Sequence, residues 1–73
     1  MNKTEALAIV DRSLESNNNI IEDLRTEVIN FIESNPQPAY MFDKLEKYLN
    51  EYHAIMNSIS EAKAQRMVLN SLD

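Results

Sequence analysis

From Met41 onward the apolar positions fall at steps of four and three. Met41, Leu45, Tyr48, Tyr52, Ile55, Ile59 and Ala62 are followed in the same phase by Arg66 and then Leu69. That spacing is the heptad seam of an α-helix lying along another helix, and no residue from Ala39 to Leu72 breaks a helix. At roughly 1.5 Å per residue such a helix is about 50 Å long, too long for one short element to cover. The first half of the chain carries the same rhythm, with Leu7, Val10 and Leu14 leading on to Ile21, Leu24, Val28 and Phe31. Asn2 with Glu5 three residues on has the form of a capping box, and Thr4 is an alternative cap, so the first helix begins between residues 3 and 5.

Between these halves stand Ser16, Asn17, Asn18 and Asn19, residues that compete with the helix backbone for its hydrogen bonds. A break there would give three helices. The phase favours one helix from about 4 to 34, weakened in the middle. Counting back from Ile21 by four and three reaches Asn17, Leu14, Val10 and Leu7, a register that a loop has no reason to keep. Asn17 then occupies a seam position, where a polar side chain fixes pairing register at a cost in stability. Ser58 with Glu61 offers a second, weaker interruption through which the seam also runs unbroken. Ser34-Asn35-Pro36-Gln37-Pro38 is the one firm break, because proline lacks a donor and drives the preceding residue out of the helical region. Pro38 suits the first turn of the next helix. The expected fold is therefore all-α: a single domain, 1–73, forming an antiparallel hairpin of two long helices with coiled-coil-like packing. Folding back at the prolines sets Phe31 against Phe42, Val28 against Leu45, Leu24 against Leu49, Ile21 against Tyr52 and Leu14 against Ile59. Asn17 against Met56 and Leu7 against Arg66 make the far end the weaker one.

Composition narrows what such a hairpin does. A chain of 73 residues buries only about 60% of the surface its unfolded form exposes. Without cysteine, and with one histidine, it has neither disulfides nor a metal site to compensate, which leaves a partner. Glycine is absent, which argues against turn-rich β architecture. The formal charge is −5, and the seven basic residues never cluster, so the surface lacks the basic stripe that nucleic acid requires. No apolar run is long enough to span a membrane. No signal-peptide pattern opens the chain, and the lack of cysteine fits a reducing compartment, so the expected location is cytoplasmic.

No catalytic, cofactor or metal residue is expected. His53 has no second histidine, cysteine or paired carboxylate at ligand spacing and points away from the seam. Glu46 and Glu51 are isolated carboxylates of the kind that pair along a helix surface, as Asp43 is spaced to do with Lys47. Neither a phosphate loop nor a nucleophile elbow is present. The informative surplus is apolar. Phe42, Leu49 and Met56 lie seven apart beside the second seam, Met67 is near the same line, and Ile9 and Ile20 lie toward one flank of the first helix. Two helices alone cannot cover a stripe that wide. These six residues are the expected surface for a protein partner or a second copy in a homodimer.

The order Ile20-Ile21, Leu24-Arg25, Pro36-Gln37-Pro38 with Tyr40, Leu45-Glu46, and finally Ile55 and Ile59 resembles the cytoplasmic E component of the type III secretion needle chaperone. That family consists of short helical hairpins of about this length. The resemblance implies a non-enzymatic co-chaperone that pairs with a helical-repeat chaperone and keeps the needle subunit soluble and monomeric, in the service of protein transport and virulence. The needle subunit is itself a helical hairpin, and Asn35-Pro36 with Leu49, Glu51, Tyr52, Asn57 and Ser60 is similar to its turn and second helix. Against it, Pro36 and Pro38 stand closer together than its prolines do, and Leu72-Asp73 stands where its apolar tail would be. A small acidic helical inhibitor or antitoxin-like protein, such as a mobile element encodes, shares the same composition and periodicity, and so does a homodimeric coiled coil.

Overall fold

The computed structural model describes residues 1–72. Two helices make up almost the whole of it: α1, Lys3–Glu33, and α2, Pro38–Asn70, packed antiparallel along their length. The hairpin is a rod of 56 × 15 × 15 Å. Its radius of gyration, 16.7 Å, is well above the ~11 Å of a globular chain of this length.

α1 starts where the capping pattern places it. Asn2 has extended backbone and its side chain accepts a hydrogen bond from the Glu5 N–H at 2.8 Å, satisfying one of the donors a helix start leaves free. The helix then runs without interruption through Ser16 and the three asparagines. The three-helix alternative does not occur here, because packing of Leu14, Ile21 and Leu24 against α2 outweighs the local preference of Asn for turns. Ser58 and Glu61 likewise sit inside an unbroken α2.

The turn solves the problem of reversing direction without glycine. Asn35 takes a left-handed backbone, φ 52°, the conformation that glycine usually supplies after a helix. Its N–H donates to the Ile32 carbonyl at 3.1 Å. The next residue of such a cap would donate to the Phe31 carbonyl, but Pro36 has no N–H to give. The Ser34 hydroxyl donates to that carbonyl instead, at 2.6 Å. α2 begins at Pro38, where the missing donor costs nothing because the first turn has no acceptor for it.

Side chains follow the heptad reading except at Arg66 and at Tyr52, which is in phase with the seam but exposed. Val10, Leu24, Ile59 and Ala62 are buried, and Leu7, Leu14, Asn17, Ile21, Val28, Phe31, Met41, Leu45, Tyr48, Ile55 and Leu69 are half-buried. Val28 with Leu45, Leu24 with Leu49 and Ile21 with Tyr52 line one groove between the helices, as the fold-back expects, and the departures lie toward the ends. Phe31 does not meet Phe42; its ring packs edge-on between Tyr40 and Tyr48, at 5.5 and 6.2 Å. Arg66 leaves the seam and pairs with Asp11 at 3.4 Å instead of facing Leu7. Lys3 Nζ donates to the Leu72 carbonyl at 2.7 Å. Both of these last contacts are made by the tips of long side chains, near the ends away from the turn. Three of the four buried residues lie in the half away from the turn. The expected weak end is therefore where the seam is best covered. Ala62, only 4% exposed, presents little to hold the helices apart, whereas Tyr48 and Tyr52 are bulky.

Candidate functional site: an apolar flank beside the helix seam

The seam divides the rod into two long flanks, and they differ in chemistry. On one, an open groove of about 310 Å³ runs between the helices near the turn. Leu24, Val28, Leu45 and Tyr48 form its floor; Arg25 and Ile29 rim it from α1, Leu49 and Tyr52 from α2. On the other flank, a smaller groove is lined by Ile20, Asp23 and Glu27 of α1 with Glu51 and Ile55 of α2. Leu24 lies between the two grooves and lines both. The first groove is lined by apolar and aromatic side chains with Arg25, whereas three of the six residues lining the second, Asp23, Glu27 and Glu51, are carboxylates.

Residues seven apart share a side of a helix, drifting by only about 20°. Phe42 and Met56 therefore extend the line of Leu49 toward the two ends, and Ile32 extends that of Arg25. Ile29, Ile32, Phe42, Leu49 and Met56 are 37–67% exposed, an apolar margin over about 21 Å of α2. Arg25 interrupts it, with its guanidinium held 3.2 Å from Glu22. That pair is exposed on both sides and contributes little to stability.

The six residues singled out by sequence do not form one surface. Phe42, Leu49 and Met56 do belong together. Ile20 lies in the other, acidic groove, and Ile9, two heptads before Asp23, lies on that same side. Met67 is 72% exposed but stands roughly 16 Å along α2 from Met56, beyond Lys63. Ile29 and Ile32 complete the margin and were not among the six. Their signal was present as the doublets Val28-Ile29 and Phe31-Ile32, in which the second residue flanks the seam on Leu49's side. In Ile20-Ile21 it is the first residue that flanks the seam, on the opposite side, while Ile21 lines the groove beside Leu49. Only the antiparallel pairing tells which flank of α1 adjoins which flank of α2.

A second hollow, near the turn on the outer face of α2, is lined by Tyr40, Asp43, Lys44, Glu46, Lys47 and Asn50, a mixed and solvated set. Lys44 Nζ stands 5.6 Å from the centre of the Tyr48 ring, within cation–π range. His53 is exposed beside Tyr52, their rings 6.1 Å apart. Among the described residues no three His, Asp or Glu side chains converge as a metal ion's ligands would, and no helix is long and apolar enough to cross a membrane. Comparison with known protein families, with curated proteins and with solved structures finds no match.

Proposed function

We propose that this chain is a small non-catalytic adaptor that works by lending the apolar flank around Leu49 to another polypeptide. The observation that supports the reading is the asymmetry of the two flanks. Exposed apolar residues scattered singly are ordinary, but an apolar margin beside an open apolar groove marks a docking surface. An amphipathic helix fits the groove between two helices in the way helical ligands generally do, through apolar side chains at three- and four-residue steps. In its finer form the reading follows the resemblance to the needle co-chaperones: a helical-repeat chaperone is the partner, and the pair shields the polymerising helix of a type III secretion needle subunit in the cytoplasm.

The test is reconstitution with a helical-repeat needle chaperone and its needle subunit. The expected result is a complex on size exclusion, a needle subunit that stays monomeric, and a higher melting temperature for this chain when bound. Leu49→Asp and Met56→Asp should each abolish the complex and leave the far-ultraviolet circular dichroism unchanged, since both side chains stand outside the seam. Undiminished binding by both variants would remove the flank from the site. Filament growth by the chain alone would instead identify it as a needle subunit.

A further inference from the structure

We infer that, in the free protein, the apolar flank is covered by a second copy of this chain, docked antiparallel about a two-fold axis that passes beside Leu49. This rests on reading that flank as a docking surface, and names what occupies it before any other partner arrives. Three observations carry it. The first is area. The hairpin exposes 5705 Å², whereas a folded monomer of 8.4 kDa is expected to expose about 4,600 Å². A standard interface takes about 800 Å² from each partner, which would account for most of that excess.

The second is self-complementarity. A two-fold contact requires that if residue i meets j, then j meets i. Leu49 lies midway between Phe42 and Met56, seven residues from each. An axis at Leu49 therefore sets Leu49 on its own copy, Phe42 of each chain on Met56 of the other, and no charged side chain into that α2 line. The third is fit along the rod. With Leu49 at the centre, α2 overlaps its copy from residue 38 to 60, about 33 Å. Across the 15 Å width of the rod that gives a footprint of about 500 Å² before side-chain relief is counted, of the order a standard interface needs. Arg25 of each copy comes near the axis, where its charge is answered by its own Glu22. The ends carrying Val10 and Ala62, both already buried in the seam, project beyond the overlap and need no cover.

Because the chain has no cysteine, single-cysteine variants of the full-length protein test this cleanly. Sedimentation equilibrium at high micromolar concentration should give twice the 8.4 kDa chain mass. Leu49→Cys should cross-link to its own copy with a short bis-maleimide, while Ile20→Cys, equally exposed but on the acidic flank, should do so at least about tenfold less. Leu49→Asp should sediment as a monomer with its helicity retained, and Phe42→Asp serves the same purpose should that variant unfold. A monomeric parent, or a dimer that cross-links at Ile20 and not at Leu49, overturns the inference. A monomer that still forms a Leu49-dependent complex with another protein overturns only the second copy and leaves the adaptor reading standing. A Leu49-linked dimer that engages no other protein does the reverse.

Discussion

Asn17 is a half-buried amide in a seam of otherwise apolar side chains. An amide gives up hydration there for little return, and polar seam residues elsewhere earn their place by restricting pairing register. Asn17→Leu should therefore raise stability by about 1 kcal/mol through added apolar burial, read as a higher urea midpoint. A lowered midpoint would mean that the amide makes a contact the seam needs. Arg66 shows the opposite solution for a polar residue in phase with the seam: it extends outward to Asp11, both side chains about half exposed. An ion pair so exposed contributes at most about 1 kcal/mol, so its main effect is to keep a charge out of the core.

At the level of elements, each helix is longer than its local sequence alone would hold, and the turn decides how they meet. The asparagine run 17–19 would fray an isolated helix; α1 crosses it because apolar residues on both sides are clamped by one partner helix. Asn35 is the residue on which the reversal depends. Its left-handed backbone is tolerated by Asn and Gly and disfavoured by roughly 1–2 kcal/mol for other residues. Asn35→Gly should leave the thermal midpoint nearly unchanged, whereas Asn35→Val should destabilise by about that 1–2 kcal/mol. Equal midpoints for the two variants would show that the turn can adopt another path at no cost. The Ser34 hydroxyl contributes in the same place, supplying the Phe31 carbonyl with the donor that Pro36 lacks.

At the scale of the whole molecule, the four side chains buried among the described residues are a small core for a chain of 73 residues. Stability per residue in domains is typically about 0.05–0.15 kcal/mol, and an elongated hairpin belongs at or below the lower end. Truncating one of the four should therefore be felt globally. Ile59→Ala is expected to cost about 2–4 kcal/mol, enough to unfold a large share of the chain at room temperature, followed by loss of the 222 nm signal in circular dichroism (about 222 nm being the helical band). If helicity is kept, the hairpin draws its stability from elsewhere, and self-association through the uncovered flank is the first place to look, by repeating the melt across concentrations.

The sequence by itself determined the two helices, their limits to within a residue or two, the turn between them and the side chains of the seam, because each depends on local signals: a cap at Asn2, prolines at 36 and 38, and a repeat of four and three that survives the asparagines. It also carried the surplus of apolar residues beside the seam. What only the tertiary structure decided was sidedness and the contacts at the ends of the rod, the rings of Tyr40 and Tyr48 closing on Phe31 and the reach of Arg66 to Asp11. Neither is encoded by one helix. The antiparallel pairing brings Ile29 beside Leu49 and leaves Ile20 beside Asp23 and Glu27, since a flank becomes a surface only when two helices present it together.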